Sequence, residues 1–300
     1  MHRKNYCPTF NAFMLGNVLN QFIIKIAMKK LFTALVFVLT TSFMGVAANA
    51  QTSLDNTTAA WDKLLKKHVA WNSAGVASTV AYKGFQADRA ELKKVLDGFS
   101  ALTKADYEKL KKEEKLAFLI NAYNAYTVEL ILTKYPDLKS IRDVGSLVTK
   151  TWRIKFFNLL GEERHLDNVE HDMIRAPGAF DDPRIHMAVV CASVGCPALR
   201  PDAFVGATLD ATLEDSVKRF LKDKTRNRFN ATNGKLEVSK IFDWYKGDFE
   251  KGLKGVTSRE QFFGKYADLL AADAAGQQIL KDGKASISFL DYDWSLNDKK

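Results

Sequence analysis

Hydrophobic residues recur every three or four positions in several long stretches of the chain, a spacing typical of helices that bury one face. The longest stretch runs from Lys109 to Tyr135 and stops at Pro136, which cannot continue a helix. Just before it, Thr103 with Asp106 three residues later is typical of a helix start. Helices are also predicted over Leu54–Ala70, Ala90–Phe99, Asp167–Arg175, Thr208–Leu221 and Ser258–Leu280.

Shorter runs between these helices predict strands. The sharpest local signal is Asn233-Gly234 between Arg228–Thr232 and Lys235–Ser239, which predicts a hairpin with a type I′ turn. We predict an extended or loop passage at Gly75–Phe85 and strands at Trp152–Leu160, Ile185–Val190 and Ser286–Tyr292. With no internal repeat and no long linker, the pattern predicts an α+β fold, a single mixed domain over residues 51–300 with several helices around a small, mainly antiparallel sheet.

The first fifty residues have the anatomy of a secretory signal peptide. Two lysines after Met28 form a basic start, Leu31–Ala47 is apolar, and residues 48–50 form a small-residue cleavage signal. We expect translation to start at Met28 and the mature chain to start at Gln51, in the periplasm or secreted. An uncleaved anchor is the alternative, and this segment is where we expect any membrane contact.

Charge argues against a nucleic-acid partner. The chain has 44 basic and 35 acidic residues, for a formal net charge of +9. Residues 1–50 hold five of the basic residues and none of the acidic ones, so the rest of the chain is nearly balanced. A field this weak does not favour phosphates.

Cys191 is the leading candidate for chemistry. It follows the predicted buried strand and precedes small residues, whose backbone N–H groups are free to bind an oxyanion. A nearby histidine would ionise the thiol and make it a nucleophile. In an oxidising compartment Cys196 leaves two further alternatives open, a structural Cys191–Cys196 disulfide or a reversible redox pair.

His171 is the candidate general base. We expect Asp167 to cap a helix with Glu170 at its third position, which places His171 near the positive end of the helix dipole and keeps it neutral. Arg175 lies one turn further along the same face. The plainer interpretation is a structural histidine beside a capping glutamate.

Two asparagines on the long apolar helix, Asn121 and Asn124, need hydrogen-bond partners in a largely buried setting. In one interpretation Asn121 orients the catalytic imidazole, as an asparagine does in papain-like enzymes. In the other, both amides bind loop backbone and fix the fold.

Metal and cofactor signals are weak. The spacing of the histidines and cysteines fits no compact zinc pattern. The chain has no glycine-rich nucleotide-binding motif, no serine-hydrolase elbow and no zinc-protease motif. We therefore expect no metal and no cofactor.

Five segments of the mature chain form a recognisable set. They are Gly75-Val76 with Tyr82 and Phe85, LAFLINAYNA at 116–125, LDNVEHDMIR at 166–175, DPRIH at 182–186 leading into CASVGCP at 191–197, and YDWSLN at 292–297. Together they resemble the family catalogued as domain of unknown function 547. The resemblance implies no activity, because the family has no settled biochemistry. It does imply family positions at Asn121, Tyr123, Asn124, Glu170, His171, Arg175, Cys191, Pro197 and Arg200.

Two functions remain open at this point. The first is a thiol hydrolase or acyltransferase with Cys191 as nucleophile, His171 as base, and Glu170 or Asn121 orienting the imidazole. Its substrate is expected to be a small molecule or a peptide. The substrate-binding candidates are Arg175 and Arg200, for an anionic group, with Tyr123, Asn124 and His186. The alternative is a non-catalytic binding or scaffold domain, held by a Cys191–Cys196 disulfide.

Overall fold

The computed structural model describes residues 25, 28, 29, 51–146 and 149–299. The signal-peptide prediction for residues 1–50 therefore lies almost entirely outside the described part. Contacts divide the chain into Met1–Thr52 and Ser53–Lys300, and the fold described below is that of the second unit. No helix within the described residues is long and apolar enough to cross a membrane.

The first half of this unit is mostly helical. A strand pair joins Val69 to Val80 in antiparallel register just after the first helix. The elements in order are α1 at residues 53–68, β1 at Val69–Trp71, β2 at Ser78–Val80, α2 at Tyr82–Ala87, α3 at Arg89–Ala101, α4 at Lys104–Lys109 and α5 at Lys112–Leu132.

Helix α5 is the centre of the larger core. Every residue from Leu116 to Leu132 except Glu129 is buried, so the helix is surrounded by protein over its apolar half. The predicted single helix from Lys109 to Tyr135 is wrong at its start, because the chain is extended at Leu110 and Lys111. The Glu114 carboxylate accepts the Lys111 N–H at 2.8 Å and so caps a new helix there.

The middle of the chain consists of short elements that lead into one longer helix. Strands β3 and β4 form an antiparallel hairpin. The elements are 3-10 turns at Ile141–Val144 and Thr151–Arg153, β3 at Phe157–Leu159, β4 at Glu162–Arg164, a π-helical segment at Asn168–Ile174, 3-10 turns at Pro183–Met187 and Gly206–Thr208, and α6 at Leu209–Lys222.

The predicted strand at Ile185–Val190 is wrong, because these residues begin in a 3-10 turn. Pro183 stands at its first position, and the Asp182 carboxylate accepts the Arg184 N–H at 3.0 Å. A proline preceded by a capping aspartate favours a helical turn, and the apolar run that follows is buried in either conformation.

The last third builds a second core around Phe242, Phe249 and Phe263. Its sheet has the order β5-β6-β7, with β6 antiparallel to β5 and parallel to β7. The elements are β5 at Arg228–Asn230, β6 at Lys235–Ser239, α7 at Ile241–Trp244, α8 at Lys246–Phe249, a 3-10 turn at Leu253–Gly255, α9 at Arg259–Gly264, α10 at Ala267–Leu270, α11 at Ala274–Lys281 and β7 at Ser286–Leu290.

Two local predictions in this region need correction. The β5–β6 hairpin is present, but Asn230 pairs with Lys235, so four residues form the loop and not the two of a type I′ turn. The Asn230 side chain accepts the Thr232 N–H at 3.1 Å and widens the turn. The single helix predicted over 258–280 is three helices, because Ser258 and Asp273 cap α9 and α11 separately.

The fold class is as predicted, a mixed α+β unit with small and mainly antiparallel sheets. The segment that follows β7 returns to the first core. There Leu296 pairs with Ser193, and Asp298 pairs with Val80 at the edge of β2. This return brings residues 292–297 against the loop that carries Cys191.

Candidate functional site

Helix α5 fixes the backbone of the loop that carries Cys191. The Asn124 side chain donates to the Ala188 carbonyl at 2.9 Å and accepts the Val190 N–H at 3.1 Å. A buried amide that satisfies both backbone groups fixes the path of the chain just before the cysteine. Ala192 follows with a positive φ of 59°, an uncommon conformation for a residue with a side chain.

Residues 293–296 also hold this loop, through backbone hydrogen bonds. Val194 N–H donates to the Ser295 carbonyl, and Gly195 N–H donates to the Asp293 carbonyl, each at 2.8 Å. A Cβ atom on Gly195 would lie 2.9 Å from the Asp293 backbone nitrogen. The two segments therefore approach so closely that only glycine fits at position 195.

The Cys191 thiol lies among hydrogen-bond donors. Its Sγ is 3.1 Å from the Ser193 Oγ and 3.1 Å from the Tyr292 hydroxyl, which are themselves 3.1 Å apart. The Cys196 thiol donates to it as well. This bond first, and then those from Ser193 and Tyr292, lower the pKa of Cys191 to about 7 against the opposing effect of burial. About half of the molecules then carry a thiolate at neutral pH.

Cys196 is the buried partner of this thiol. Its Sγ accepts the Cys191 N–H at 3.0 Å, and burial together with the neighbouring Cys191 raises its own pKa. Both cysteines are free thiols. The predicted Cys191–Cys196 disulfide is therefore absent, and a hydrogen-bonded dithiol stands in its place.

A cavity of about 210 Å³ opens beside Cys191. Six of its fourteen lining side chains are tyrosine or tryptophan, namely Tyr123, Trp152, Trp244, Tyr245, Tyr292 and Trp294. Its titratable lining consists of Asp167, Glu170, His171 and His186 with the two cysteines. The cavity thus places a thiol of lowered pKa beside a partly open, mainly apolar space, which is the usual character of a small-molecule site.

Glu170 is buried in the wall of this cavity, with 6% of its surface exposed. It lies in the π-helical segment, where the Arg175 N–H donates to the Glu170 carbonyl five residues back at 2.9 Å. Its carboxylate accepts the Tyr123 hydroxyl at 3.1 Å and also bonds to Tyr245. Burial and the neighbouring Glu170 raise the pKa of both tyrosines, which stay protonated donors at neutral pH.

The predicted cap of this helix is wrong. Asp167 makes no capping bond, and its carboxylate instead accepts the Arg153 Nε–H at 3.0 Å. His165 caps the turn, since its Nδ1 accepts the Asn168 N–H at 3.0 Å. His171 therefore lies beyond the first turn of the helix and not, as was predicted, near its positive end.

His171 shares the cavity with Cys191, but no hydrogen bond joins the two in the part of the chain that the structure describes. The ring lies between Arg175, which contacts its Nδ1, and Asp167, whose carboxylate is 3.9 Å from its Nε2. Its side chain is 39% exposed. Neither Glu170 nor Asn121 is a hydrogen-bond partner of this ring, contrary to their predicted orienting role.

His186 forms a second, buried imidazole in the cavity wall. Its Nε2 is 2.8 Å from the Asp248 carboxylate, and its ring stacks on Tyr245 with centroids 3.8 Å apart. Burial lowers the pKa of His186, so the ring is neutral at pH 7. Burial alone would raise the pKa of Asp248, but hydrogen bonds from His186, Arg175 and Lys251 hold it well below its usual range.

Several predicted site residues lie outside the cavity lining. Asn121 pairs with the backbone of Phe204 through both amide atoms, so it fixes the fold. Arg200 is paired with Asp202 and Asp215, away from the thiol. Arg175 is bound to Asp248 at 2.5 Å, and Asn124 supports the loop without lining the cavity. Tyr123, Glu170, His171 and His186 do line the cavity, as their role requires.

Sequence reasoning assigned no role to Ser193, Tyr292, Trp244, Tyr245 and Trp294, which complete the site. Tyr292 lies 101 residues from Cys191 along the chain, so no local spacing points to their contact. The available signal was the YDWSLN segment, which stood among the recognisable segments and contains two of these aromatic residues.

Residues 107–221 match the model of a family described as protein of unknown function, DUF547. These residues belong to the DUF547 family. The resemblance inferred from the sequence is thereby confirmed. Searches of curated proteins and of solved structures found no match.

The DUF547 stretch supplies Tyr123, Glu170 and both cysteines, but it ends before the aromatic residues of the later segments. The family's description assigns no activity, so its function is unknown. Among the described residues, no group of three or more histidine, cysteine or acidic side chains is placed to hold a metal ion. What the DUF547 fold does here must be inferred from the thiol and its cavity.

Proposed function

We propose that this protein is a thiol hydrolase or acyltransferase in which Cys191 is the nucleophile. The observation that carries the proposal is the environment of its sulfur. Two hydroxyl groups lie 3.1 Å from Sγ, and a second thiol donates to it, at the wall of a partly open cavity. Donors that stabilise a thiolate make the sulfur nucleophilic at neutral pH without a base in direct contact.

The chemistry follows from this arrangement. The Cys191 thiolate attacks the carbonyl carbon of an ester or amide, and the carbonyl oxygen takes the negative charge. When the tetrahedral intermediate collapses, the bond to the leaving group breaks, the leaving group takes a proton, and a thioester remains on Cys191. Water in a hydrolase, or an acceptor amine or alcohol in an acyltransferase, then attacks the thioester and releases the thiolate.

We assign protonation of the leaving group to His171. It lines the same cavity and is accessible to solvent, whereas His186 is buried and held by Asp248. Asp167 and Arg175 hold the His171 ring, and they take the orienting role that the sequence suggested for Glu170 or Asn121. A histidine that acts on the leaving group need not touch the thiol in the resting enzyme.

The test is acyl-enzyme formation with p-nitrophenyl acetate, followed by release of nitrophenolate and by intact mass. We expect one acetyl group on the wild-type protein, mapped to Cys191 by peptide analysis, and none on Cys191→Ser. Cys196→Ser is the matched control, since it removes a thiol but keeps the nucleophile, and it should acylate more slowly. Acetylation that persists in Cys191→Ser would contradict the proposal.

A second candidate is thiol–disulfide exchange, which the direct contact of the two thiols favours. The Cys191 thiolate would attack a disulfide and release one thiolate, leaving a mixed disulfide. The Cys196 thiol would then attack the Cys191 sulfur, close the Cys191–Cys196 bond and release the second thiol. Incubation with oxidised glutathione tests this, and a two-dalton mass loss that dithiothreitol reverses would support it.

The non-catalytic alternative and the location are tested separately. A double variant, Cys191→Ser with Cys196→Ser, that keeps the protein's biological role would favour a binding or scaffold domain. Export to the periplasm or the medium belongs to our proposal as well. Amino-terminal sequencing of the protein isolated from its host should begin at Gln51, and a chain that retains residues 28–50 would contradict it.

A further inference from the structure

Part of the cavity wall is a cluster of aromatic rings, one of which, Tyr292, also contacts the thiol. Around Trp294, ring centroids lie at 4.6 Å for Tyr292, 5.7 Å for Trp244 and 6.1 Å for Trp152. Trp244 is 47% exposed although its neighbours are aromatic. Three tryptophans and a tyrosine at the mouth of one cavity form an electron-rich surface that packing of the core does not require.

The charge of the cavity has one sign. Asp167 and Glu170 line it, while no lysine or arginine lines it in the described part of the chain. Asp167 is paired with Arg153, which lies on the exposed side. The buried Glu170 carboxylate is bonded to the hydroxyls of Tyr123 and Tyr245, which are neutral donors. Hydrogen bonds solvate a buried carboxylate but leave its charge in place, so a cation in the cavity would be stabilised.

Two aromatic rings of the cavity wall already contact cations. The Arg142 guanidinium lies 5.3 Å from the Trp294 ring centroid, and the Arg175 guanidinium lies 4.8 Å from that of Tyr245. Neither arginine lines the cavity. These contacts have the geometry of cation–π attraction, and aromatic cages of this composition bind ammonium groups.

We propose that the cavity binds the ammonium head group of a cationic acyl substrate, with the aromatic cluster around it and Glu170 opposite its charge. This inference rests on the proposed function only for the acyl group, since ammonium binding itself needs no chemistry at Cys191. A cavity of about 210 Å³ has room for a small head group. The ligand class is therefore a small primary or quaternary ammonium compound.

Binding is measured by calorimetry and by tryptophan fluorescence with two ligands of equal shape. One is choline, and the other is its neutral carbon analogue, in which a tert-butyl group replaces trimethylammonium. We expect choline to bind at least about tenfold more tightly than the neutral analogue.

Two variants locate the site. Trp244→Leu removes an exposed ring, and Glu170→Gln removes the charge while keeping hydrogen-bonding atoms. Each should weaken choline binding by about tenfold. Glu163→Gln is the matched charge control, since Glu163 is exposed on β4 outside the cavity lining, and it should leave binding unchanged. Because Trp244 is exposed, its variant tests the site even where Glu170→Gln fails to fold.

The outcomes separate this inference from the proposed function. Equal affinity for choline and its neutral analogue, or full choline affinity in Trp244→Leu, would overturn the ammonium site. Choline binding without acetylation of Cys191 by p-nitrophenyl acetate would keep the ammonium site and remove the hydrolase. When both are found, a p-nitrophenyl ester with a trimethylammonium tail should show a kcat/KM about tenfold above its tert-butyl analogue.

Discussion

The hydroxyl of Tyr292 is the donor to the thiol that can be removed with the least change in shape, through Tyr292→Phe. It lies 3.1 Å from the Cys191 sulfur and comes from a distant part of the chain. Hydrogen bonds to charged groups contribute roughly 1.5–3 kcal/mol, and about 1.36 kcal/mol corresponds to one pKa unit. The substitution should therefore raise the pKa of Cys191 from about 7 to between about 8 and 9.

The assay is the rate of alkylation by iodoacetamide as a function of pH, followed by intact mass. At pH 7 the thiolate fraction falls from about one half to between about 1% and 10%, while each thiolate becomes about threefold more reactive per pKa unit. The net rate at pH 7 should fall by about two- to eightfold. Near pH 10 the Cys191 thiol is ionised in both the wild type and the variant, and the variant should react about three- to tenfold faster than the wild type.

This crossing of the two pH profiles distinguishes a pKa change from altered access, which would slow the reaction at every pH. Tyr126→Phe is the matched control, because its buried hydroxyl donates to the Leu96 carbonyl at 3.0 Å and not to the thiol. That control should keep the midpoint near 7. A Tyr292→Phe profile with an unchanged midpoint and no crossing would refute the assignment of Tyr292 as a thiolate donor.

Three further results are expected. Asn124→Ala and Asn121→Ala each remove two buried hydrogen bonds, and each should lower the free energy of unfolding by about 2–4 kcal/mol in urea titrations. Of the two variants, Asn124→Ala alone should shift the pH midpoint of Cys191 alkylation, because Asn124 holds the loop that carries Cys191. Gly195→Ala should cost about 1–3 kcal/mol in the same measurement, because its Cβ meets Asp293 backbone, whereas Gly247→Ala, with open space around it, should be neutral or slightly stabilising. Burial lowers the pKa of His186 below its ordinary 6.5, so the unfolded chain takes up this proton at a higher pH than the folded chain. The free energy of unfolding therefore declines as the pH falls from about 6.5 toward the folded pKa, by at most about 1.36 kcal/mol per pH unit. His186→Gln should flatten that decline between about pH 7 and 5, and an equally steep decline in the variant would assign it to other groups.

The amphipathic helices were predictable because their buried stripes are local. Leu209, Leu213, Val217 and Phe220 were predicted on one face, and all four are buried in α6. The helix predicted for residues 90–99 likewise lies within α3. In both stretches the side chains that share a face are separated by one turn, so the short-range pattern contains the needed information.

The errors in predicting the fold come from hydrophobic patterns that fit two different backbone structures equally well. The apolar run after Pro183 is buried as a 3-10 turn and loop, but it would be buried as a strand too. Ser258 and Asp273 are helix caps that the periodic spacing of 258–280 concealed. In each case a local side-chain hydrogen bond decides the backbone, and hydrophobic periodicity alone does not show it.

For the site, the sequence pointed to the Cys191 thiol and to part of the cavity wall, but not to the contacts that complete the site. Cys191, Glu170 and His171 do share a cavity, since they lie close together in the chain and at one side of α5. The donors to the thiol and the aromatic cluster come from later segments. Contacts between residues a hundred positions apart leave no periodic pattern in the sequence. The buried amides of Asn121 and Asn124 fit either a catalytic or a structural role, and the sequence does not distinguish the two.

The return of residues 292–297 to the Cys191 loop has a consequence for when, during synthesis, the Cys191 thiol acquires all of its hydrogen-bond donors. A ribosome that has made the complete DUF547 stretch has produced both cysteines but not yet Tyr292, 101 residues beyond Cys191. The nascent thiol then lacks one of its donors and the ring cluster beside it. The full lowering of the Cys191 pKa should thus wait until residues 292–297 have been made, because until then Cys196 and Ser193 are the donors available to the thiol.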